Sequence, residues 1–208
     1  ATGVLVLGIG SGTKDLQSYL SGSKKYSAGA QLGFETATLD MEQGKENAVK
    51  TAPSDHVTYA MIEGIIQQFT GDIMQKPPIF SAIKKDGKRL YEQARAGKTE
   101  EDIEIEARKV TIHNLQYSKE DQNGRGLPCF GIDVECGGGT YIRSLIRDIG
   151  YALDSCATMT SLERTQQGQF TLDVAIPRED WSADNIYAAV QRTNSIFNTL
   201  DEGNDVED

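Results

Sequence analysis

A strand joined directly to a helix at residues 130–153 constrains this chain more than any other feature. Phe130, Ile132, Val134 and Cys136 recur at every second residue, the period of a strand with one buried face. Three glycines, Gly137-Gly138-Gly139, follow at once. The period then changes to 3.6: Ile142, Leu145, Ile146, Ile149 and Leu153 share one stripe of a helix over Thr140–Leu153. Two elements with one apolar face each must bury those faces, so the chain requires a sheet with helices packed on it.

Similar signals extend the pattern. Val4 to Leu7 is a short aliphatic strand, followed by a helix around Asp15–Leu20. Tyr26, Ala28, Ala30 and Leu32 line one face of a strand, and Gly33–Gly44 is a turn region. Pro53-Ser54-Asp55 predicts the cap of a helix over Val57–Phe69. Pro77-Pro78 forces extended chain, Asp86-Gly87 a tight turn, and Arg89–Ala96 a short helix closed by Gly97. Ile103, Ile105 and Ala107 alternate within an acidic stretch, and Val110 and Ile112 start a further strand. Asp121–Gly126 is a turn, Phe170–Val174 a strand and Asn185–Leu200 a last helix. Without a regular βαβ rhythm, the fold class is α+β around a mixed sheet.

The 208 residues suffice for a proper core, and no apolar run approaches the length of a membrane span. Three cysteines without a C-x-x-C pair, Cys129, Cys136 and Cys156, point to buried thiols in a reducing compartment. His56 and His113 lack metal-ligand spacing, so no metal site is expected. A net charge of −10 argues against a nucleic-acid partner until it is divided: residues 179–208 carry −7, while residues 76–98 carry +5. Such a basic stretch is either a solvated face or a track for phosphates.

Two glycine runs invite a phosphate. Gly8-Ile9-Gly10-Ser11-Gly12-Thr13-Lys14 fits neither nucleotide motif: Thr13 stands where a dinucleotide loop needs glycine, and Thr precedes Lys. A nucleotide-binding domain is therefore a distant reading. Gly137–Gly139 either presents free N–H groups or permits close packing of strand on helix. Arg143, in the first helical turn behind it, opposes the helix dipole and calls for a fixed anion. Tyr26, beside Lys24 and Lys25, is either core or a surface on which an unpaired base can stack.

Five blocks in order give a family resemblance. They are Ala1-Thr2-Gly3-Val4-Leu5; Lys24-x-Tyr26 with Leu32-Gly33 and Thr36-x-Thr38-x-Asp40; Phe69-Thr70-Gly71 through Gln75-x-Pro77-Pro78-x-Phe80-Ser81-Ala82-x-Lys84 and Gly87-x-Arg89; Val134-x-Cys136-Gly137 through Gly139-x-Tyr141-Ile142-Arg143-Ser144-Leu145 with Asp148-Ile149-Gly150; and Leu162-x-Arg164-Thr165 with Gly168-x-Phe170. Together they resemble the TruB-type tRNA pseudouridine synthases, which isomerise uridine 55 in the T-loop. The Cys136-Gly-Gly-Gly run and the Pro177–Trp181 stretch look most like the eukaryotic branch, without the bacterial C-terminal RNA-binding domain.

The resemblance implies a pseudouridine synthase fold, with a largely antiparallel sheet flanked by helices. It implies a catalytic domain over 1–176, with an RNA-clasping insertion at about 70–100. A helical extension over 177–200 and a disordered acidic tail over 201–208 would follow. It implies action on the tRNA T-arm, with neither metal nor small-molecule cofactor; a monomer is expected. It also implies an intracellular protein, in nucleus, cytoplasm or mitochondrion. By residue, Arg143 pairs with the nucleophilic Asp, Tyr26 stacks on the flipped base, and Leu162 is an apolar wall with Tyr141 beside it. Lys24, Lys84, Lys85, Lys88 and Arg89 meet RNA. The family's nucleophile lies in Gly-Thr-Leu-Asp-Pro-x-Ala-Thr-Gly, which puts it three residues before Ala1. The fold is then incomplete at its N-terminus, and these 208 residues alone are not expected to turn over. A T-arm-binding module that leaves its RNA unmodified is the other reading of a chain without that Asp.

Overall fold

Residues 129–152 form the middle of the structure, a computed structural model that describes residues 1–202, and only the backbone of Gln43 and residues 194–202. Its strands are β1 (Thr2–Gly3), β2 (Lys24–Leu32), β3 (Phe34–Thr36), β4 (Ala48–Thr51), β5 (Gly71–Gln75), β6 (Lys84–Lys85), β7 (Lys88–Arg89), β8 (Arg108–Ser118), β9 (Cys129–Cys136), β10 (Ala157–Gln167) and β11 (Phe170–Thr171). The helices are α1 (Leu16–Ser21), α2 (Tyr59–Ile66), α3 (Leu90–Arg95), α4 (Ile142–Ala152) and α5 (Ala183–Glu202). Seven strands make one sheet in the order β1-β10-β2-β9-β8-β5, with β11 also on β10. Only the β1–β10 pair is parallel. The fold is α+β with a mostly antiparallel sheet.

Alternation decides which face is buried. Ala28, Ala30 and Leu32 of β2 and Phe130, Ile132 and Val134 of β9 point into one core. Leu145, Ile146 and Ile149 of α4 meet them with no exposed surface, each contributing about 1.5–3 kcal/mol by burial. Gly150 lets α4 approach β10, since a Cβ there would lie 2.6 Å from the Ala157 amide nitrogen. The Gly137–Gly139 run serves packing too: a Cβ on Gly138 would stand 2.8 Å from the carbonyls of Leu20 and Ser21 at the end of α1. A second, smaller core of Ile79, Leu90 and Ile103 lies under the β6–β7 hairpin and α3.

Several local expectations are corrected. Val4–Leu7 is not a strand. β1 ends at Gly3, because β11 takes the same edge of β10 from Gln166 onward, and Leu5 and Leu7 are exposed. The turn region 33–44 contains β3, which pairs with β4. The first central helix starts at Tyr59, where the Thr58 hydroxyl accepts from the Met61 amide, rather than at Pro53–Asp55. Ile103–Ala107 forms no strand, because Ile103 is drawn into the smaller core. The strand at 170 stops after Thr171 and turns into a 3-10 helix over Leu172–Val174. The acidic tail past Glu202 lies outside the described residues.

Candidate active site

Where α4 begins, its first turn faces β10 and β2 across a cavity of about 680 Å³. Tyr26, Tyr141, Arg143 and Leu162, drawn from three separate sequence blocks, all line it, together with Asp40 and Ala1. Leu162 lies opposite Ala28, and Tyr26 opposite Arg164, on the paired strands β10 and β2. Half-buried, the Tyr26 phenol has its pKa raised by burial, with the nearby Cys136 acting the same way and a hydrogen bond to Arg164 acting against it. Arg164 also donates from Nε to the Val4 carbonyl at 2.5 Å, tying β1 to the wall that carries Tyr26.

Arg143 ties two distant segments of the chain to the cavity. Its NH1 nitrogen donates to the Thr38 carbonyl at 2.7 Å and to Asp40 Oδ2 at 3.3 Å, and NH2 donates to the Phe80 carbonyl at 3.1 Å. The side chains of Arg143 and Asp40 are 21% and 14% exposed, so this ion pair is largely shielded from water. Asp40 is thus a carboxylate fixed beside this arginine. The motif Thr36-x-Thr38-x-Asp40 explains how it is held. The Thr36 hydroxyl donates to the Asp40 carbonyl at 2.6 Å, the Thr38 hydroxyl to Asp40 Oδ1 at 2.8 Å, and the Glu42 amide to the same oxygen at 3.2 Å. Leu39, between them, takes a left-handed φ of 62° while burying its side chain.

Gln75, 1% exposed, clamps the other side of the site. Its Nε2 donates to the Tyr141 carbonyl at 3.1 Å, and its Oε1 accepts from the Tyr141 amide at 2.8 Å. Both Asp40 and Gln75 stood in quoted blocks without a role. The hydroxyl spacing around Asp40 was a usable signal; nothing in sequence ties Gln75 to a residue 66 positions away.

The predicted RNA contacts divide. Lys84, Lys88 and Arg89 are exposed on the β6–β7 hairpin, with Lys84 opposite Arg89 and Lys85 opposite Lys88. Lys85 donates to the Glu104 carbonyl, and Arg89 to the Tyr91 hydroxyl at 3.1 Å. Lys24 is corrected: it is buried and faces inward. Its ammonium spends its donors on the carbonyls of Tyr19, Leu20 and Gly22 at 3.0, 2.9 and 2.8 Å, closing the C-terminal end of α1. Burial lowers its pKa. Among the described residues no cluster of His, Cys, Asp and Glu suits a metal ion, and no helix is long and apolar enough to cross a membrane.

The chain is similar to known proteins over most of its length. The chain is 48% identical over 199 residues to human "Pseudouridylate synthase TRUB1", covering 95% of this chain and 54% of that protein. It is 42% identical over 176 residues to "tRNA pseudouridine synthase B" of Flavobacterium johnsoniae, covering 85% and 72%. The crystal structure of a Cbf5-Nop10-Gar1 complex contains a chain with a TM-score of 0.56 at 25% identity, over 81% of this chain and 38% of that one. The chain thus spans about half the length of its human relative. Residues 1–142 match the TruB family pseudouridylate synthase (N terminal domain), and with these relatives the match shows that the chain belongs to the TruB pseudouridylate synthases.

Proposed function

We propose that the protein to which this chain belongs isomerises uridine 55 in the T-arm of tRNA, acting as a monomer. The observation that carries this reading is the convergence of Tyr26, Tyr141, Arg143 and Leu162 on one cavity. The reaction breaks the N1–C1′ bond, turns the base, joins C5 to C1′, releases the C5 proton and places one on N1, with no change of redox state. The target uridine is extruded from its loop, at a cost of a few kcal/mol in lost stacking. Tyr26 offers its ring to the extruded base, and Leu162 closes the apolar side and keeps water out. Arg143 holds the nucleophilic carboxylate in its charged form. In the family that carboxylate belongs to a Leu-Asp-Pro motif, and Ala1, which matches the Ala of the family's Ala-Thr-Gly, lines the same cavity. Asp40 stands outside any such motif and serves to orient Arg143.

The test is the full-length protein incubated with a T-arm transcript, with pseudouridine mapped by position. Product at position 55 is expected. Binding without product would favour a module that holds T-arm RNA unmodified. Arg143→Ala should reduce turnover at least about a thousandfold while leaving most of the tRNA affinity, since loss of a charge-stabilising donor acts on the transition state; retained turnover would remove Arg143 from the mechanism.

A further inference from the structure

The basic hairpin and the cavity are separate features joined by one short segment. Residues 75–80 lead from β5 to the hairpin, and three side-chain contacts fasten that segment to the start of α4. Gln75 clamps the Tyr141 backbone, Arg143 reaches the Phe80 carbonyl at 3.1 Å, and Arg147 NH2 reaches the Lys76 carbonyl at 3.1 Å. Arg147 is one turn from Arg143 on the same helix flank. Its side chain is 6% exposed.

Arg147 also reaches the far end of the insertion. NH1 lies 3.9 Å from Glu100 Oε1, while Glu100 Oε2 pairs with Lys76 Nζ at 3.2 Å. The two roots of the insertion, residues 76 and 100, are thus pinned to each other and to α4 through one guanidinium. Asp148 holds that guanidinium from behind, 2.9 Å from both Nε and NH2. A buried arginine with a carbonyl, two carboxylates and no place in the cavity is an unusual use of charge for packing alone.

We infer that Arg147 is a positioning residue for Arg143: by fixing Lys76 and Glu100 it sets where the Phe80 carbonyl meets Arg143, and so links the basic hairpin to the turn that holds Asp40. The inference rests on the catalytic reading of Arg143 above. The 38–40 turn touches the insertion through Arg143, by way of the Thr38 carbonyl and Asp40 on one side and Phe80 on the other. A shift at residue 76 is therefore transmitted as a change in the Arg143 hydrogen bonds.

The experiment uses the full-length protein carrying Arg147→Met, and, since a buried change can disturb folding, Glu100→Gln at the half-exposed end of the same network. Hydrogen exchange without RNA is read first. Faster exchange is expected in residues 75–81 and also in residues 37–42, which lie on the far side of Arg143. Loosening confined to 75–81 and the neighbourhood of 100 would overturn the inference and leave Arg147 a structural anchor. Kinetics are read second: the maximal single-turnover rate at saturating tRNA should fall about tenfold, with affinity within about twofold, because misplacement of a catalytic group costs rate rather than binding. A loss of affinity at unchanged rate would also overturn it. An unmodified enzyme that makes no pseudouridine would instead sink the functional reading, and the exchange pattern would still decide the coupling.

Discussion

At the scale of single residues, the site depends on how one guanidinium divides its bonds. Arg143 has five N–H groups, and three acceptors from distant parts of the chain already claim some of them. Asp40 is the only charged one of the three. Asp40→Asn keeps the shape and removes the charge, so Arg143 should lose its fixed anion while both threonine hydroxyls keep partners. Turnover by the full-length protein should drop about 10–100-fold with little change in tRNA affinity, as for loss of an electrostatic preorganising contact; a rate equal to that of the unmodified protein would show that Asp40 is incidental. Lys24 makes the opposite case. Lys24→Met removes the ammonium from three carbonyls, of which that of Tyr19 keeps Gln167 as a donor, and should cost about 1–3 kcal/mol in urea unfolding, with tRNA binding unaltered. Weaker binding at unchanged stability would restore the RNA contact.

At the scale of elements, the β6–β7 hairpin divides its charges unequally. Lys85 and Arg89 already have partners, whereas Lys84 and Lys88 are exposed. Replacing Lys84 and Lys88 together by Ala should flatten the slope of log affinity against log salt by roughly 1.5, the counterion release of two phosphate contacts. An unchanged slope would mean that the hairpin does not meet the backbone of the RNA. Elements with one buried face and clean alternation, β2 and β9, were legible in the sequence, as was the stripe of α4. β10 was not. Its run Ala157–Gln167 reads ATMTSLERTQQ, with half-buried polar residues on both faces, because it forms a cavity wall and carries bulges near Thr160 and Thr165. The aliphatic Val4–Leu7 failed in the reverse sense: the apolar run was present, but β11 already held the edge it needed. Of the cavity, Tyr26, Tyr141, Arg143 and Leu162 were reached through family motifs, while Asp40 and Gln75 acquire roles only from contacts across the fold.

At the scale of the whole molecule, stability depends on how buried charge is compensated. Asp121 closes the loop between β8 and β9 over the face of the sheet away from α4. Its carboxylate accepts from the amides of Asn123 and Arg125, both at 2.9 Å, and from the Arg125 guanidinium at 2.8 and 2.6 Å. Burial acts to raise its pKa, but the Arg125 side chain and the two amides outweigh that and hold it below the usual carboxylate value. Between this lowered value and about 3.9, the unfolded chain binds more protons than the folded one. The stabilisation is therefore full above about pH 5 and drains away as pH falls through the folded value. Asp121→Asn should cost about 2 kcal/mol at pH 7 and flatten the acid limb of a urea-midpoint profile. A profile parallel to that of the unmodified protein would remove Asp121 as a source of acid lability.

The position of β10 between β1 and β2 has a consequence for synthesis on the ribosome. β2 emerges early, yet one of its two sheet neighbours is made of residues 157–167, and the Arg164–Val4 contact closes over 160 residues. While the chain is still growing, β2 and β9 can pair with each other, but the outer edge of β2 stays bare until β10, the last long strand of the sheet, has been translated. A nascent chain stalled before residue 157 carries an open, alternating edge of the kind that recruits other chains. Closure of the cavity wall that Leu162 forms is then a late step of folding, and a factor that shields that edge during translation would govern the yield of folded protein.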